Sequence, residues 1–137
     1  MNRKNIFSLK HLAITLLVCL FSSSIQASEE PVKHLDLPDV TSKQEAVKVF
    51  NETTAQLKQK TKLDSAAMND IHIITYSLEK AVAYFSENMV GEQQANAKQM
   101  AELVEEIHLG SENNRVEETS QSLDKYFKLA DTFAAEL

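Results

Sequence analysis

From Ser42 to Val90 the chain contains neither glycine nor proline, and over that stretch its apolar side chains recur at intervals of three and four. Such spacing puts one stripe on one face of a helix. The stripe runs through Ala46, Phe50, Thr53 and Leu57, and resumes at Ala67, Ile71, Ile74, Leu78, Ala81 and Phe85. Between them the same phase passes through Lys60 and Asp64, and Leu63 is the sole large apolar residue between Lys58 and Met68. A seam that turns polar cannot stay buried, so the spacing predicts two helices with a break near 58–64. Asp64 or Ser65 caps the second, and Lys58, Lys60 and Lys62 sit beside the negative end of the first. A single helix over 42–88 is the competing reading, because the phase never slips.

The first helix has a readable start. Thr41 with Gln44 and Ser42 with Glu45 form overlapping capping boxes, in which side chains satisfy backbone N–H groups that have no partner inside the helix. Only two glycines occur, Gly91 and Gly110, and both read as punctuation. Gly91 makes a turn after Asn88-Met89-Val90. A third helix follows from about Glu92 to Leu109, with Ala97, Met100, Leu103, Val104 and Ile107 on one face, and Gly110 ends it. Ser111, or Asn114 with Glu117, starts a fourth helix whose stripe is Val116, Leu123, Phe127, Ala130, Phe133 and Leu137. Short connections between helices favour antiparallel neighbours, so the expected fold is all-α, an up-down-up-down four-helix bundle over residues 41–137.

Two segments precede it. Arg3, Lys4 and Lys10 flank an apolar run from Leu12 to Phe21, and small residues lead to Ala27. This is the pattern of a secretory signal peptide, residues 1–27, removed after Ala27. The run is too short for a bilayer core that needs about 20 residues. Cys19, the only cysteine, follows the bulky Val18 inside the run, which is unfavourable for lipidation. Residues 28–40 hold both prolines, Pro31 and Pro38, and read as a flexible arm; His34 lies there. The protein is thus expected to be periplasmic and free of the membrane after cleavage.

Loss of the leader removes Cys19, and with it disulfides, thiolate catalysis, cysteine zinc sites and covalent haem attachment. It also removes three of the 14 basic residues and none of the 20 acidic ones, moving the formal net charge from −6 to about −9. Binding to nucleic acid or to anionic lipid needs clusters of Lys and Arg, so neither is expected. An unknown protein or a cationic ligand is the compatible partner, and a homodimer is equally consistent with the thin stripe of the first helix.

The residues that point to chemistry are His72 and His108. Each lies 18 residues from Val90, on opposite sides, which places them at similar heights in an antiparallel hairpin. Imidazole is the commonest protein metal ligand, and Glu105-Glu106-Ile107-His108 adds a Glu-x-x-His, so the candidate metal residues are His72, His108 and Glu105. Helical rotation argues the other way. At 100° per residue, His72 falls more than 100° from the Ile71-Ile74-Leu78 centre, on a flank with Tyr76 and Glu79. On that reading the two share a height without sharing a pocket.

A di-iron bundle needs Glu-x-x-His twice, and the corresponding segment here begins with Asn69. The periplasmic b-type cytochrome bundle resembles this chain in architecture only, because the first helix has no methionine and the fourth no histidine. Ile71-His72-Ile73-Ile74-Thr75-Tyr76-Ser77-Leu78-Glu79 and Glu105-Glu106-Ile107-His108-Leu109-Gly110-Ser111-Glu112 resemble the paired histidine motifs of a small uncharacterised family of exported helical proteins of Gram-negative bacteria. The resemblance covers residues 40–133 and implies a helical fold and export, with no catalytic residue to carry over. The expected function is a non-enzymatic binding or interaction module, its cofactor unknown. The alternative is a metal- or b-haem-binding bundle using His72 and His108.

Overall fold

The computed structural model describes residues 35–137, so the segment read as a signal peptide and most of the proposed arm lie outside the described residues. Four helices follow one another: α1 (Lys43–Lys58), α2 (Ser65–Asn88), α3 (Gly91–Glu112) and α4 (Val116–Ala134). Each packs on the next and α1 closes against α4, which is the up-down-up-down bundle. None of the described helices is long and apolar enough to cross a membrane.

The first break falls where the seam turns polar. Ser42 caps α1 with its hydroxyl, accepting from the Glu45 N–H at 3.2 Å, while Glu45 accepts from the Thr41 N–H at 3.1 Å. Asp64 caps α2 by accepting from the Ala67 N–H at 2.9 Å. The one-helix alternative over 42–88 is therefore ruled out. Lys60 pairs with Asp70 at 2.6 Å across the connection. Ahead of α1, Asp39 pairs with Lys80 on α2 and Val40 packs against the core.

Of the two glycines, only Gly91 keeps its expected role, at the turn. Gly91 is the first residue of α3 and takes the left-handed conformation, φ +63°. With only Met89 and Val90 between the helices, this conformation makes the reversal, and a Cβ-bearing residue would be strained there. Gly110 does not end α3, which continues to Glu112. The helix stops at Asn114, φ +53°, where the Asn114 N–H donates to the Ser111 carbonyl and the Arg115 N–H donates to the Gly110 carbonyl, at 3.1 and 2.8 Å. That is a Schellman closure with asparagine in the glycine position. Gly110 instead allows α3 and α4 to approach, because a Cβ on it would lie 2.5 Å from Thr119 Oγ1. The start of α4 has no side-chain cap: neither Ser111, which is in α3, nor Asn114 supplies one.

The core is aromatic at one level and aliphatic along its length. Phe50 of α1 stands edge-on to Phe85 of α2 and Phe133 of α4, both at 5.8 Å, and those two rings are 5.2 Å apart. Further along, the hydroxyls of Thr54 and Tyr126 meet at 2.6 Å, tying α1 to α4 inside the bundle. Most of the stripe residues are buried. Ala67, Ile74 and Phe127 are only half-buried, Val116 is exposed, and Tyr126 takes the place in α4 that the stripe had left to Phe127.

Candidate functional site

His72 and His108 meet. Their ring centroids are 4.6 Å apart with the planes tilted by 49°, and the residues are 8% and 4% exposed. The two-residue α2–α3 turn makes this possible, since equal distances from the turn give equal heights in an antiparallel pair. The rotational expectation fails because α2 buries two faces. One, with Ile71, Leu78 and Phe85, is apolar. The other carries His72, Thr75, Tyr76 and Glu79, also spaced three and four apart, and it meets His108 of α3.

Polar contacts tie the cluster together. The Thr75 hydroxyl, fully buried, donates to the His72 carbonyl at 2.7 Å. Thr75 Oγ1 also lies 3.0 Å from His108 Nδ1. A Glu79 oxygen lies 2.8 Å from the same nitrogen, an ion pair whenever the ring is protonated. His72 Nε2 and the Tyr76 hydroxyl are 2.9 Å apart, and the Tyr76 ring stands perpendicular to His108 at 4.9 Å. Glu79 reaches the surface with a third of its side chain exposed, so one edge of the cluster faces water.

Glu105, the carboxylate singled out from Glu-x-x-His, is exposed on α3. The carboxylate placed against His108 is Glu79's, from the neighbouring helix. Its signal was present in the sequence, since Glu79 lies seven residues after His72 and so on the same helical face. Among the described residues no group of three or more His, Cys, Asp and Glu side chains is arranged to hold a metal ion. A haem iron with an imidazole on each face needs ring centres about 6 Å apart, from two metal–nitrogen bonds of about 2 Å and half a ring at each end. At 4.6 Å no porphyrin fits between these rings, so His72 and His108 do not form a bis-imidazole haem site as they stand.

Fold and cluster together define an all-α four-helix bundle with a buried histidine pair between its second and third helices. The chain belongs to a family of unknown function (DUF6746), whose model matches residues 4–135. Among curated proteins and among solved structures no match was found.

Proposed function

We propose that the protein is an exported, non-enzymatic binding module, and that its ligand is a cation taken up at the His72–His108 pair. The observation that carries this reading is the contact of two buried imidazoles, one of them beside Thr75 and the Glu79 carboxylate. Two imidazoles in a core contribute less to stability than aliphatic side chains of similar volume, because their polar atoms must be desolvated. What they supply is a pair of nitrogen-bearing rings beside a carboxylate, Glu79, held together by the packing of α2 on α3. The acidic balance of the chain draws cations toward the exposed edge at Glu79.

The test is thermal unfolding of the purified protein with and without divalent manganese, cobalt, nickel, copper and zinc. A ligand at a hundred times its Kd stabilises by about 2.7 kcal/mol, which for a domain of this size raises Tm by roughly 10–20 °C. At least one ion is expected to do so in the parent, and none in a His72→Leu/His108→Leu variant that still folds. An unfolding curve indifferent to all five ions overturns the reading.

A further inference from the structure

The outer side of the α1–α2 pair carries a groove. Two adjoining hollows share Gln56, Ile73 and Ile74, and together they run from Val49 and Glu52 at one end to Lys60 and Asp70 at the other. Ile73 is 47% exposed, and Val49 and Ile74 beside it are only half-buried, so the floor is an apolar strip in contact with water. Covering such a strip is favourable in proportion to its area.

We infer that a second copy of this chain covers it, as a two-fold dimer in which α1 lies antiparallel on α1 and α2 antiparallel on α2. Charge complementarity selects this occupant. In a two-fold contact each residue meets the one that lies equally far on the other side of the axis. Gln56 is four residues after Glu52 and four before Lys60, so an axis at Gln56 sets the carboxylate of each Glu52 opposite the other copy's Lys60 ammonium. On α2, Ile73 and Ile74 stand midway between Asp70 and Ser77. An axis there sets each Asp70 opposite a Ser77 hydroxyl and lays isoleucine on isoleucine at the centre. The two midpoints belong to different helices, yet they are one place, because Gln56 and both isoleucines line the same hollow. A single axis therefore serves both helices.

A formal net charge of −6 makes copies of the chain repel on average, so self-association needs a patch where acid meets base. Within each copy Asp70 holds Lys60 at the end of the groove, at 2.6 Å. From Glu52 to Lys60 is roughly 12 Å, eight residues at 1.5 Å each. Such a strip is short beside the roughly 800 Å² per partner of a stable interface, so the dimer is reversible and fills at high protein concentration.

Sedimentation velocity of the purified protein, over concentrations rising into the millimolar range, is the experiment. A monomer–dimer equilibrium is expected in the parent. Ile73→Glu abolishes it, and Glu52→Lys and Lys60→Glu each weaken it at least about tenfold, because each places like charges opposite one another. All three positions lie at the surface, and an unchanged Tm checks that the fold survives. Mixing the Glu52→Lys and Lys60→Glu proteins restores dimers, since the mixed pair has opposite charges at both ends of the groove. A parent that stays monomeric throughout overturns the proposal. So does a dimer that survives Ile73→Glu, or a mixture that associates no better than its two components.

Discussion

Phe50→Ala is the sharpest test of how the bundle is closed. The helix α1 buries only two large apolar side chains, Phe50 and Leu57; its other buried residues are Ala46, Thr53 and Thr54. Phe50 is 1% exposed and meets a ring from α2 and a ring from α4 edge-on. Truncation of a buried phenylalanine to alanine costs about 3–5 kcal/mol, within which each lost edge-to-face pair accounts for about 0.5–1.5 kcal/mol. Phe85 and Phe133 already touch each other and cannot both move into the void, so the cost belongs at the upper part of that range. A domain has about 5–15 kcal/mol in total, so the variant surrenders roughly a quarter of it or more. Urea denaturation followed by circular dichroism reads the loss, with a Tm lower by roughly 15–30 °C, while Phe50→Leu keeps most of the volume and loses less than half as much. A loss under about 1 kcal/mol with unchanged denaturant dependence would refute the reasoning, because it would mean that the ring is not held between α2 and α4.

Two further outcomes follow from single contacts. Gly110→Ala should destabilise by about 1–3 kcal/mol through crowding of Thr119, outweighing the gain of about 1 kcal/mol that alanine brings inside a helix; adding Thr119→Ala should recover most of the loss in a double-mutant cycle, and additive losses would disprove the contact. Tyr126→Phe should cost about 1–3 kcal/mol by leaving the Thr54 hydroxyl without its buried partner. Burial pushes the Tyr126 phenol well above its ordinary range, with Asp131 adding to the rise against the bond from Thr54. The folded state therefore keeps that proton at a pH where the unfolded chain has lost it. Its stabilising contribution is full below about pH 10, the unfolded tyrosine value, and falls as pH rises beyond it, so alkaline unfolding curves of the parent should carry a slope that Tyr126→Phe lacks.

Helices were legible in the sequence wherever a cap and a stripe coincided. Ser42 and Asp64 each stand one residue before an uninterrupted periodic run, and each caps as its chemistry dictates. The end of α3 was not legible, because the left-handed position is filled by Asn114 while the nearby glycine serves a close approach between helices. Local sequence cannot distinguish these two uses of a small residue, since the difference lies in what stands opposite. The site was half visible. Its heights followed from counting residues on either side of the turn. Its facing did not, because α2 is buried on two sides and one of them is lined by His72, Thr75, Tyr76 and Glu79, which a search for apolar periodicity passes over. Glu105 drew attention through a short motif, but its side chain points from the exposed face of α3, and Glu79 reaches His108 from the adjacent helix.

The link between α2 and α3 is two residues long and begins α3 with Gly91 in a left-handed conformation. It lies roughly 27 Å along the helix axes from the imidazoles, at 1.5 Å for each of 18 residues. It nevertheless acts as the ruler of the site. One residue inserted there, with α3 keeping its packing on α2, would replace His108 opposite His72 with a neighbour, turned by about 100°. Loop length in this protein therefore decides which residue stands opposite His72, and a change in it would separate the two rings while leaving every helix intact.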